Sequence, residues 1–175
     1  MKHQVPWPPL RLGLLEKQLD LIADAVRDDS QRSVDDQIWL TRFLVVRACG
    51  YLEQVAHETI VAHLEYASYG RARSFAMSWL ERSRNPTAEN LLGMLARMDP
   101  RMRDELEGLL KDDDNRLMRE VGELVGKRNQ IAHGANEGIG SRRALELVQC
   151  AKDLADWFIL RLDPYTAPSH VQTPL

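Results

Sequence analysis

A chain of 175 residues, 44% hydrophobic and 28% charged, carries enough apolar material for one buried core without covalent staples. Lys and Arg total 23 against 26 Asp and Glu, so the net charge of -3 excludes a generally basic, histone-like protein, and nucleic-acid contact requires a local basic patch. No apolar run approaches the ~18 residues of a membrane span, and the N-terminus lacks the apolar stretch of a signal peptide, so a cytoplasmic protein is expected.

Prolines 6, 8 and 9 hold residues 1–9 extended. From Leu10 to Arg27, apolar residues at Leu12, Leu15, Leu19, Ile22 and Val26 form a helical stripe that ends at Asp28-Asp29-Ser30. Ser33, with Asp36 three residues later, has the form of a capping box and predicts a long helix over about 34–66. The middle of that helix, from Phe43 to Leu52, is apolar on nearly all sides, which predicts burial on several faces and a central position. Two strands are the competing reading of this β-branched run, but no turn signal interrupts it. Arg47 lies inside the run, and a structural ion pair is its default expectation.

Tyr69-Gly70 ends the long helix, and residues 71–84 form a shorter basic piece bearing Arg71, Arg73, Arg82 and Arg84. Asn85-Pro86-Thr87 opens the next helix with a capping residue and a first-turn proline. Asp99-Pro100 repeats that signal before a helix over 101–111. Asp112-Asp113-Asp114-Asn115 then starts a helix over about 115–133, its carboxylates suited to the positive end of the dipole. Gly134 stands where a C-terminal cap glycine belongs. Ser141 is positioned to cap a last helix with Ala144, Leu147, Val148, Ala151, Leu154, Ala155 and Phe158 on one face, ended by Pro164. Cys49 and Cys150 sit in apolar helical runs and read as reduced, buried thiols rather than a disulfide. Residues 164–175 are polar and Pro-rich and are expected to form a disordered tail. The fold class is all-α: a bundle of about five to six helices in one domain over 10–163.

The stretch Arg128-Asn129-Gln130-Ile131-Ala132-His133-Gly134 carries the chemistry. A guanidinium binds phosphate bidentately and is always charged, while an imidazole gives or takes a proton near neutral pH. Together they suffice for phosphodiester chemistry without a metal. At about 100° per residue, Val121, Leu124, Val125, Arg128 and Ala132 share one stripe, so Arg128 falls on the apolar side. Gly122, Gly126, Asn129 and His133 share a second stripe. Each interior glycine costs ~1 kcal/mol of helix propensity, which predicts close approach of a backbone or ligand there, as a cleft floor or a helix–helix contact. Arg128 and His133 point about 140° apart on an ideal helix. Either the last turn unwinds beside Gly134, or two copies of the helix meet and share the site in a symmetric dimer.

Arg-x4-His with Asn after the Arg, closing a helix of an all-α chain, resembles the HEPN superfamily, and the wording here is similar to stand-alone bacterial members of the RiboL-PSP type. The resemblance covers residues 34–162, with Arg128, Asn129 and His133 matching the motif itself. It implies a metal-independent endoribonuclease that needs no cofactor and acts as a homodimer, with the two motifs facing each other. His133 would act as general acid or base, Arg128 would hold the phosphate, and Asn129 would position Arg128 or the substrate. Glu53, on the neighbouring long helix, is a supporting candidate. The substrate would be RNA, the products a 2′,3′-cyclic phosphate and a 5′-hydroxyl, and the setting a toxin or defence effector under a cognate antitoxin or other regulatory protein. Some HEPN toxins carry a Tyr two residues after the His, which a partner enzyme modifies; Ala135 stands there and puts that partnership in doubt.

Competing readings are a non-catalytic HEPN-like domain for dimerisation or partner binding, and a regulator that binds nucleic acid through Arg71, Arg73, Arg82 and Arg84. The bland reading of the motif is dipole and capping chemistry at a helix end. His57 and His63 lie about 240° apart around one helix and cannot ligate one ion together, so no metal site is expected.

Overall fold

The computed structural model of the chain describes residues 6–28, 31–80, 85–134 and 138–166. Among the described residues there are six helices: α1 (Leu10–Arg27), α2 (Val34–Ala67), α3 (Gly70–Ser78), α4 (Ala88–Ala96), α5 (Pro100–Ala132) and α6 (Ser141–Arg161). No strand occurs among the described residues, so the all-α fold expected from helical periodicity is what the chain adopts.

Helix α2 is the axis of the assembly and packs against α1, α3, α5 and α6, while α4 packs against α5. Ser33 starts it as read from the sequence: its Oγ accepts from the Asp36 amide at 3.1 Å and donates to the Asp36 carboxylate at 2.8 Å. From Leu44 onward α2 is apolar on opposite sides, and Leu44, Val45, Ala48, Cys49, Leu52, Val55 and Ala56 are fully buried. Its first turns differ: Val34, Trp39 and Phe43 are at least half exposed, because α1 and α6 cover only part of this end.

Helix α5 is two helical pieces joined by a kink at residues 112–115. Asp113, Asp114 and Asn115 all have positive φ (49°, 54° and 59°), the left-handed region that Asp and Asn tolerate better than most side chains. The acidic run thus forms the joint rather than the first turn of the motif helix. Two other caps also differ from expectation. Thr87, not Asn85, caps α4, its Oγ1 accepting from the Asn90 amide at 3.1 Å. Gly140 occupies the cap position of α6 and Ser141 is its first residue. Ser141 Oγ instead lies 3.0 Å from Gln37 Nε2 and 3.2 Å from Thr41 Oγ1, joining α6 to α2.

Polar ties fix the helices laterally. Arg143 of α6 reaches Glu123 at 2.6 Å, Glu146 at 2.8 Å and Glu120 at 3.4 Å, and the hydrogen bonds it donates to those carboxylates raise its pKa well above the ordinary arginine value. Lys152 bridges Glu16 and Asp20 of α1. His57 and His63 serve separate long-range bonds, His57 Nε2 to the Leu80 carbonyl at 2.8 Å and His63 Nδ1 to the Leu162 carbonyl at 2.9 Å. Both cysteines are free and buried, and burial pushes Cys150 up to about 12. In the N-terminal segment, Trp7 Nε1 donates to the Ile159 carbonyl at 3.0 Å. The expected tail begins with an ordered turn: Tyr165 packs edge-to-face on Tyr66, ring centroids 5.5 Å apart. The rest of it, 167–175, lies outside the described residues.

Candidate site at the end of the motif helix

The second piece of α5 carries Arg128 into the molecule along the stripe anticipated from its sequence. Val121, Leu124 and Val125 are buried on that stripe, and Arg128 one turn later is half-buried. Its Nη1 donates to Asn129 Oδ1 at 3.0 Å, so the two motif residues touch directly. Among the described residues no carboxylate pairs with Arg128, and the side chain lines a cleft of about 190 Å³ with Leu15, Leu19, Arg47, Gly50 and Gln54.

His133 is exposed and sits at the C-cap with φ -89° and ψ 9°, its amide still donating to the Asn129 carbonyl at 3.0 Å. Gly134 follows with φ +74°, the left-handed conformation of a cap glycine, and its amide donates to the Ile131 carbonyl at 3.1 Å. The helix therefore ends at Ala132, with His133 at its non-helical cap position. Ideal helical spacing puts positions 128 and 133 about 140° apart, and no hydrogen bond joins the two side chains among the described residues.

The glycine stripe also differs from expectation. A methyl group at Gly122 or Gly126 would meet nothing within 4 Å, so no other part of the described chain approaches them. Gly122 is exposed and Gly126 half-exposed, and the stripe ending at His133 is an open face.

The remaining candidates separate. Glu53 is half-buried on α2; burial raises the Cys49 thiol to about 11, with Arg128 pulling it down and Glu53 pushing it up, so both charges act on the same interior thiol. Arg71 is exposed on α3, while Arg73 pairs with Glu65 at 2.7 Å. Arg82 and Arg84 lie outside the described residues, as does Ala135. Arg47 does not form the expected ion pair: its Nη2 donates to the neutral Gln18 Oε1 at 3.1 Å, because α1 offers an amide rather than a carboxylate at that point. Sequence reading flagged Arg47 as a cation inside an apolar run but did not connect it to Arg128, which reaches the same cleft from another helix.

An all-α bundle whose penultimate helix ends in Arg-Asn-x3-His is the architecture of HEPN proteins. A family model described as RiboL-PSP-HEPN matches residues 11–160, and the chain belongs to that family. No curated protein and no solved structure matches the chain. No helix among the described residues is long and apolar enough to cross a membrane.

Proposed function

We propose that the chain is a HEPN-type endoribonuclease whose working site combines Arg128 and His133 of two copies. The observation that carries this reading is the state of Arg128: half-buried, braced by Asn129, without a carboxylate among the described residues, and open to a cleft. A desolvated guanidinium in that state is short of an anion, and a phosphodiester supplies one in bidentate geometry. His133, exposed at the end of the same helix, is free to meet a substrate held by a second copy. In the reaction the ribose 2′-oxygen attacks the adjacent phosphorus and the bond to the 5′-oxygen breaks. His133 takes the 2′-hydroxyl proton or returns one to the leaving oxygen, and Arg128 offsets the charge gathering on the phosphoryl oxygens. Guanidinium and imidazole are sufficient for these steps, so no metal is assigned a part. Purified protein is expected to cleave RNA in EDTA. His133→Ala should reduce the rate by at least about 100-fold, the low end of what general acid–base catalysis contributes, with an unchanged melting temperature because the side chain is exposed. Full activity in that variant removes His133 from the mechanism.

The separation of Arg128 and His133 within one chain also favours a second reading, a HEPN scaffold used for dimerisation or partner binding without cleavage. Concentrated wild-type protein that leaves RNA intact, yet remains dimeric, selects it. The regulator reading is weakened by Arg73, whose charge is already engaged by Glu65.

A further inference from the structure

Arg47 and Arg128 come from different helices, α2 and α5, and line the same cleft. Each makes one hydrogen bond to a carboxamide oxygen, Gln18 for Arg47 and Asn129 for Arg128, and neither has a carboxylate partner among the described residues. Other half-buried arginines meet carboxylates: Arg143 three glutamates, Arg161 Glu105 and Arg103 Glu107. Two unneutralised cations sharing a partly desolvated space repel each other, and that arrangement is stabilised only when an anion enters. Gly50 keeps the space open, since it places no side chain between the two arginines' helices. The nearest acidic groups of α1 are engaged elsewhere, Glu16 and Asp20 both by Lys152.

Gln54 narrows the anion to one that also carries a donor. The residue lines the same cleft, and its Oε1 is buried without a hydrogen-bond partner among the described residues. An orphaned acceptor is satisfied by a donor. A ribose-phosphate offers anionic oxygens to the guanidiniums and a hydroxyl donor to Gln54, and inorganic phosphate offers both through its P–OH.

We propose that Arg47, with Arg128 and Gln54, forms a subsite for an RNA phosphate and its ribose, so that Arg47 is a second RNA-binding arginine supplied by α2. The inference rests on the reading of Arg128 as a phosphate ligand, and it extends the site to a residue outside the Arg-x4-His motif.

The test measures binding of fluorescein-labelled oligouridylate to the His133→Ala protein by anisotropy across a salt series, so that cleavage does not interfere, with oligodeoxyuridylate of equal length on the wild type in parallel. Two variants are added. Arg47→Gln removes the charge and keeps the length of the stem. Gln18→Glu leaves Arg47 in place but gives it a carboxylate, which neutralises the cleft from outside. Each should weaken RNA binding about tenfold, the scale of one charge-assisted hydrogen bond, and reduce the slope of log K against log salt by about 0.7, the share of one phosphate contact on a single strand. Gln18→Glu should melt no lower than its parent, which separates lost binding from lost folding. If both variants bind as the parent does while Arg128→Gln binds weakly, the subsite is overturned and the role of Arg128 stands. If wild-type protein fails to cut RNA but Arg47→Gln and Gln18→Glu still lose affinity, the subsite stands and the ribonuclease reading falls. No measurable binding of either oligonucleotide overturns both.

Discussion

Pairing Arg128→Ala with His133→Ala in one preparation tests the shared site directly. Helix α5 continues to Ala132 and His133 keeps the backbone bond to Asn129. Ideal helical spacing puts the two positions on faces about 140° apart, with His133 at the C-cap and Gly134 after it in the left-handed region. In a two-fold dimer the arginine of one copy works with the histidine of the other, which gives two equivalent pairings. A heterodimer of Arg128→Ala and His133→Ala concentrates both losses in one pairing and leaves the other intact. Random assembly makes half of the dimers mixed, and each mixed dimer has half of its pairings, so activity should return to about one quarter of the wild type from two preparations that are each inactive. The assay is co-expression of differently tagged variants, confirmation of mixed dimers by native mass spectrometry, and RNA cleavage rates in EDTA. Activity no greater than the sum of the two homodimers, with mixed dimers present, refutes the reasoning and returns the pair to a single chain.

Other outcomes follow from the packing. Phe158 is fully buried near the C-terminal end of α6, so Phe158→Ala should cost about 3–5 kcal/mol in urea unfolding; a loss under about 1 kcal/mol would mean that α6 is not packed as described. The Arg161 guanidinium, hydrogen-bonded to the Glu105 carboxylate, holds Glu105 below the usual carboxylate range. A folded-state pKa below the unfolded one stabilises above the ordinary value of about 4.3 and loses that contribution as pH falls through the lowered value. The gap in melting temperature between wild type and Glu105→Gln should therefore be widest near neutral pH and close in acid; a gap that widens in acid contradicts the sign. Burial raises Cys49 to about 11 and Cys150 to about 12, so neither thiol should react with an alkylating reagent at pH 8 until denaturant is added. Rapid labelling of the native protein, followed by mass spectrometry, would place a thiol at the surface.

Much of the fold could be read locally. The long central helix, the Asp99-Pro100 start and the Gly134 stop all come from caps, prolines and glycines, whose effects extend only a turn or so along the chain. The errors occurred where a short polar side chain had two uses. Ser141 has the right identity for a cap, but its hydroxyl bonds to Gln37 and Thr41 of another helix. The acidic run 112–115 suits a helix start by charge, yet its Asp and Asn residues take left-handed conformations and make a joint. The glycines of α5 suggested a close neighbour, and none approaches within the described chain.

For the site, periodicity placed Arg128 on the apolar side of α5 and His133 on another, and it anticipated that one helix would hold them apart. Both are consequences of helical geometry and need no tertiary information. Whether Arg128 meets a carboxylate or an open cleft depends on α1 and α2, which reach it from far along the sequence. Its pairing with Arg47 and the orphaned Gln54 follow from that packing. The sequence alone determined an all-α chain with an Arg-x4-His motif divided between two faces of its penultimate helix. The tertiary structure decided that the arginine face is a cleft with a second, unneutralised arginine and that the histidine face is open, because charge compensation and access depend on which residues meet through space.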